Sequence, residues 1–365
     1  MDARIVVLPG DGVGSEVVAA AVEVLKAIAE RYDHRFTFVE ALIGGAAIDA
    51  VGSPFPEKSL AACRSADAVL LGAVGGPAWA DPGETIRPEQ GLLALRRELD
   101  LFANLRPVRV IPCLSDASPI RSDRLAGIDL LIVRELTSGI YFGRRREATS
   151  AHRKAYDTME YTEGEIQRIA HVAFRLAAER RGKVTLVDKA NVLACSRLWR
   201  QVVADVASEH PEVNYETILV DAAAMYLIQR PGDFDVLLTA NMFGDILADE
   251  ASVLCGSMGM LPSASLGSGP FGVYEPIHGS APDIAGCGTV NPIATILSAA
   301  MLLRYSLALP NEAATVESAV EEVLENGYRT PDIATGGTIT IGTEGLTERI
   351  VASIHEEGKE SKDAK

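Results

Sequence analysis

Five short apolar runs, spread along a 365-residue chain, each stop at the C-terminal end in a polar cluster: LGAVGGP at 71–77, VRELT at 133–137, VDKAN at 187–191, VDAAA at 220–224 and TANMFGD at 239–245. Runs of this length, bounded by turn-forming or polar residues, read as buried strands. Helix-patterned segments lie before and between them, at 15–31, 89–99, about 162–181 and 196–209. Strands alternating with helices predict an α/β architecture. In open α/β sheets ligands bind beyond the carboxyl ends of the strands, so the polar clusters mark where a site is expected.

The last cluster carries the most chemistry. After the strand Val236–Thr239, residues 240–244 read as a turn, and a helix follows with Asp245 and Asp249. Two carboxylates four apart project from one helix face. They offer hard oxygen ligands to Mg²⁺ or Mn²⁺ if a third ligand arrives from elsewhere. Acids near a helix start also suit the macrodipole without any metal.

Bulk properties narrow the function. The chain is long enough for two domains, and 48% hydrophobic with 23% charged residues is ordinary for a globular protein. No apolar run approaches the length of a membrane span, and the first residues enter a strand directly. The five cysteines are scattered with no CxxC pair, which suits reduced thiols in a cytoplasmic protein. A net charge of −16 opposes binding to nucleic acid or an anionic membrane. Residues 96–153 nevertheless hold eleven Arg against seven acids, which points to a small-anion site, with most of these Arg on the surface.

Other stretches add detail. PGDGVGSEVV, at 9–18, resembles a dinucleotide fingerprint at Gly10 and Gly12 but has Ser15 at the third glycine position. A tight turn before the 15–31 helix accounts for the glycines without a Rossmann site. In the 89–99 helix, Leu92 and Leu93 share a face with Arg96, a surface suited to an apolar branch and a carboxylate. Arg106 precedes Pro107, and Arg134 ends a strand before Tyr141. Residues 143–161 are polar without helical period and read as an arm or hairpin. Thr162 and Glu165 form a capping box. Asp221 reads as a helix cap. Residues 256–292, rich in Gly, Pro and Ser, are too long for a plain connector, and Asn291-Pro292 starts the next helix. The charged tail at 356–365 is expected to be disordered.

Six motifs occur in a shared order: GDGVG, GLLALRRELDLFANLRP, RELTSGIYFG, VDKANVL, NMFGDILADE and EPIHGSAPDIAGCGTVNP. Together they resemble the β-decarboxylating dehydrogenases, the isocitrate/isopropylmalate dehydrogenase family, over nearly the whole chain. The resemblance implies a two-domain fold of that type, not a standard Rossmann fold. Residues 1–100 and 255–365 would form an α/β domain with most of the NAD site. Residues 101–254 would form a second domain with the dimer interface, an arm at about 139–161 and the metal and catalytic residues, with the active cleft between the domains. The implied activity is NAD-dependent oxidative decarboxylation of the branched malate 3-isopropylmalate to 4-methyl-2-oxopentanoate, in leucine biosynthesis.

Residue by residue, the resemblance assigns Arg96, Arg106 and Arg134 to substrate carboxylates, and guanidinium forks suit that task. Glu89, Leu92 and Leu93 fall on the helix that sets substrate choice, where a third carboxylate would meet leucines without partners. Asp245 and Asp249 match metal ligands, with Asp221 the third ligand and a substrate contact. Lys189 matches the general base and Tyr141 the acid. His278, Gly279, Ser280, Ala281, Pro282, Asp283 and Asn291 match the cofactor site. Asp283 would favour NAD over NADP by repelling a 2′-phosphate. A homodimer is implied, with Lys189 and Asp221 reaching into the partner's site. Three departures from the family pattern stand out: Ser15, Ala78 and the Arg run at 144–146. The last leaves the arm's clasp open. Homoisocitrate, D-malate, tartrate or isocitrate enzymes are the alternatives within the family. Outside it stand a non-catalytic regulatory subunit and a nucleotide-binding protein built on PGDGVGS.

Overall fold

The computed structural model describes residues 1–81, 85–149 and 152–363, without side chains beyond Glu356. Residues 82–84 of the 77–88 loop, 150–151 of the arm and 364–365 of the tail lie outside the described residues. Two compact units emerge: Met1–Asp100 with Ile111–Pro119 and Cys255–Lys365, and Leu101–Val110 with Ile120–Leu254. Chain order alone would place 111–119 with the second unit. They belong to the first because their backbone is tied there. Arg329 donates to the Cys113 carbonyl at 3.1 Å, and Gly256 packs on Ala117.

In the first unit, Arg35–Glu40, Asp2–Gly10, Ala68–Ala73 and Gly272–Pro276 lie side by side and parallel, followed by the antiparallel Pro262–Leu266. Ala68–Ala73 is buried along its whole length, as a strand covered on both faces must be. Helix Gly14–Tyr32 follows the first strand. Helix Ile293–Tyr305 is apolar nearly all round and correspondingly buried.

The second unit orders its strands Ala103–Arg109, Asp129–Glu135, Val236–Thr239, Lys183–Asp188 and Asn214–Leu219, parallel except for the first pair. Helices Glu163–Ala178 and Ala194–Ser208 each bury one face. The first carries the expected capping box: Glu165 Oε2 accepts the Thr162 N–H at 2.7 Å, and Thr162 Oγ1 accepts the Glu165 N–H at 3.4 Å. Residues 145–146 and 156–157 pair as a small antiparallel hairpin within the arm segment.

Three local expectations need correction. The last helix runs Thr343–Asp363, through most of the segment expected to be disordered. Asp221 does not cap a helix; it lies within the first turn of Val220–Gln229. Helix Asn241–Ser252 begins after the single residue Ala240, so no 240–244 turn exists. A helix start leaves its first N–H groups without intrahelical partners. Here the Asn241 N–H donates to the Tyr161 hydroxyl, 2.9 Å away, which allows the helix to start early inside the unit. Among the described residues, no helix is long and apolar enough to cross a membrane.

Candidate active site

The second unit gathers Arg106, Arg134, Tyr141, Asp245 and Asp249 around one carboxylate. Arg134 Nη1 donates to Asp245 Oδ1. Arg106 Nη2 donates to the same oxygen at 3.2 Å, and the Tyr141 hydroxyl donates to Asp245 Oδ2 at 2.9 Å. Arg106 Nη1 lies 4.0 Å from Asp249 Oδ1. The two guanidiniums are held from behind by neutral amides. Asn104 Oδ1 accepts Arg106 Nε at 2.7 Å. Asn241 Oδ1 accepts Arg134 Nε at 3.0 Å and Nη2 at 2.7 Å. Asn241 Nδ2 donates to the Ser138 carbonyl at 3.0 Å, which fixes the amide's oxygen toward Arg134.

Local sequence explains the close packing. Helix Asn241–Ser252 passes so near Arg134 that a Cβ on Gly244 would lie 2.8 Å from Arg134 Cβ and Cγ. Only glycine permits that approach. Asp245 and Asp249 then project one turn apart, as their spacing requires. Partial burial, opposed by Arg106 and reinforced by Asp245, holds the Asp249 carboxyl above the usual range. Burial first, then Asp245, raises the Tyr141 phenol. Among the described residues no three His, Cys, Asp or Glu side chains cluster as a metal site. Asp245 and Asp249 are the two carboxylates that meet Arg106 here.

Lys189 and Asp221 form a separate pair in the same unit, Nζ to Oδ1. The hydrogen bond from Lys189 holds the Asp221 carboxyl below its usual range. The turn around Lys189 is gripped by helix Ala194–Ser208, a feature missed in the sequence. The Lys189 N–H donates to Ser196 Oγ at 3.2 Å, Arg197 to the Ala190 carbonyl at 3.1 Å, and Arg200 makes two bonds to the buried Asp188. Arg at one and four residues past Ser196 was the available signal.

In the first unit, Arg96 is buried and paired with Glu275 at 3.0 Å. Its neighbour Leu95 takes the core position, which leaves Leu92 and Leu93 partly exposed, with Glu89 exposed near Gly75. Residues 278–283 form a loop in which Ala281 adopts a φ of 36°. His278 Nδ1 donates to the Gly279 carbonyl at 2.9 Å, and burial keeps the ring's pKa low. Its Nε2 is then a buried acceptor with no partner among the described residues. Asp283 is exposed and Ser280 buried. Asn291 is committed locally: its Oδ1 accepts the Ile293 N–H at 3.0 Å, and its Nδ2 donates to Asp332 at 3.1 Å.

The PGDGVGSE motif has a structural task here. Buried Asp11 accepts N–H groups from Gly45, Ala46 and Gly75, at 2.9, 2.8 and 2.8 Å. The Val13 N–H donates to the Ser280 carbonyl at 2.8 Å, and Glu16 accepts from Gly286 and Gly288. The glycine turn therefore carries the 278–291 segment and is not itself a dinucleotide fingerprint.

Comparisons with known proteins concern the chain as a whole. The sequence profile described as isocitrate/isopropylmalate dehydrogenase matches residues 4–350. A 3-isopropylmalate dehydrogenase of Halalkalibacterium halodurans is 57% identical over 356 residues, covering 97% of this chain and 98% of that protein. One of Bacillus subtilis is 56% identical over 360 residues, 98% of each. The crystal structure of isocitrate dehydrogenase from Methylococcus capsulatus superposes with a TM-score of 0.86 at 33% identity, covering 96% of this chain and 99% of that one. The α/β architecture is thus of that dehydrogenase type and not a standard Rossmann fold. On sequence and fold together, the chain belongs to the isocitrate/isopropylmalate dehydrogenase family.

Proposed function

We propose that the protein is a cytoplasmic, homodimeric enzyme that oxidatively decarboxylates 3-isopropylmalate with NAD and Mg²⁺ or Mn²⁺, yielding 4-methyl-2-oxopentanoate, CO₂ and NADH in leucine biosynthesis. The observation that carries the reading is the Arg106–Arg134–Tyr141 cluster on Asp245, in a chain 57% identical over its length to a 3-isopropylmalate dehydrogenase. The residues fit the absent groups. Asp245 and Asp249 supply hard oxygens, and a cation would offset the burial and the Asp245 charge that together raise Asp249. The His278 Nε2, without a partner among the described residues, suits an amino donor such as that of adenine. When bound, NAD accepts the hydride, and the divalent cation favours ionised substrate oxygen and supports the charge left as CO₂ departs.

The chain's own groups supply the rest. Arg106 and Arg134 hold carboxylates, fork to oxygen. Arg96, Glu89, Leu92 and Leu93 are assigned to the remaining acid group and the isopropyl branch. Lys189, once in its neutral amine form, would take the hydroxyl proton, and the Tyr141 phenol would return one to carbon after CO₂ leaves. The proton count closes: one removed, one delivered. Ser280, Ala281, Pro282 and Gly279 shape the cofactor loop around His278, Asp283 would accept from the ribose hydroxyls, and Asn291 positions the loop's end.

A substrate panel assayed with both nicotinamide cofactors tests the reading. NADH formation with 3-isopropylmalate is expected, with little NADPH. Turnover confined to isocitrate, homoisocitrate, D-malate or tartrate would overturn the substrate assignment. The cofactor loop has its own test. A Cβ on Gly12 would lie 2.0 Å from the Ser280 carbonyl oxygen at a φ of 56°. Gly12→Val is expected to weaken NAD binding about tenfold or more through that strain; unchanged affinity in a fluorescence titration would contradict the coupling.

A further inference from the structure

Asn104 and Asn241 are 0% and 1% exposed, and the guanidiniums they brace are nearly as buried, Arg106 at 6% and Arg134 at 1%. A buried guanidinium usually meets a carboxylate, which both orients and neutralises it. Here the Nε edge of each arginine meets an uncharged amide oxygen instead. The braced cluster therefore contains two cations, Arg106 and Arg134, against two carboxylates, Asp245 and Asp249. It is formally neutral. A divalent cation would leave it with a surplus of two positive charges, the complement of one dicarboxylate. Asp in place of either Asn would keep the size and the oxygen facing the arginine but remove one unit of that surplus.

We propose that Asn104 and Asn241 are positioning residues that tune this site to doubly charged acids, orienting Arg106 and Arg134 without neutralising them. The inference rests on the substrate and metal reading above and extends it to two residues that touch neither group. Orientation and charge are separable. A carboxylate brace orients an arginine at least as well as an amide, so an Asn→Asp change isolates the charge.

Full-length N104D and N241D, each with the wild type alongside, are titrated calorimetrically with MnCl₂ alone and then with 3-isopropylmalate at saturating Mn²⁺ without NAD. Added negative charge a few ångströms away should shift the two affinities in opposite directions, Mn²⁺ tighter and the acid weaker, each by about tenfold. A purely structural role would weaken both together. Parallel weakening, or no change in either, overturns the proposal. Each substitution also removes the amide's donor group, in N241D the one that meets the Ser138 carbonyl, so whichever variant folds carries the test; failure of both to fold likewise overturns it, because the amides would then serve the fold. Failure of the wild type to bind 3-isopropylmalate would instead refute the substrate reading, a separate outcome.

Discussion

Lys189→Met is expected to lower kcat about a thousandfold, the contribution typical of a positioned general base, while leaving Mn²⁺ and 3-isopropylmalate binding close to wild type. The reasoning is local. Lys189 Nζ bonds Asp221 and belongs to no buried charge cluster. Its backbone is held independently, through Ser196 Oγ on Lys189's own N–H and through Asp188 and Ala190 on either side. The turn should therefore keep its shape when the ammonium is removed. Single-turnover kinetics separate the steps: binding amplitudes persist and the hydride-transfer phase vanishes. Turnover within a few-fold of wild type would reject Lys189 as the base.

Asp245→Ala has a different signature. Asp245 accepts from Arg106, Arg134 and Tyr141 at once, so its removal takes from two adjacent guanidiniums the carboxylate they share. About 2 kcal/mol of stability should be lost. That is less than the cost of breaking a fully buried pair, because 34% of the Asp245 side chain is exposed and water can enter. The rise in Tm that Mn²⁺ gives the wild type by binding only the folded state should disappear. Denaturant melts with and without Mn²⁺ measure both quantities. A variant as stable as wild type, or still stabilised by Mn²⁺, would contradict the hub role.

Part of this site can be read from local spacing, and the roles of Arg106, Arg134 and Tyr141 from the resemblance that the motifs carry. Asp245 and Asp249 face one way as soon as their helix is recognised, and Arg134 and Tyr141 follow one strand end. What could not be read depends on residues distant in sequence. Asn241 starts its helix early because Tyr161 satisfies its N–H, a contact that no pattern within 241–252 encodes. The bracing of Arg134 by Asn241 is invisible for the same reason. GDGVG misleads in the opposite sense. Its glycines suit a phosphate loop, yet Gly12 is small because the Ser280 carbonyl lies against it. Residues 111–119 follow the second unit's first strand but are tied by Arg329 to the first unit.

The central claim is that each active site takes Asp245 and Asp249 from one subunit and Lys189 and Asp221 from the other. Co-expressing Lys189→Met and Asp245→Ala chains under two affinity tags, and isolating the heterodimer, tests it directly. Shared sites leave one intact set of residues in two, so the heterodimer should show about half of wild-type activity, set against the roughly thousandfold loss expected of the Lys189→Met parent. A heterodimer as inactive as its parents would contradict the account.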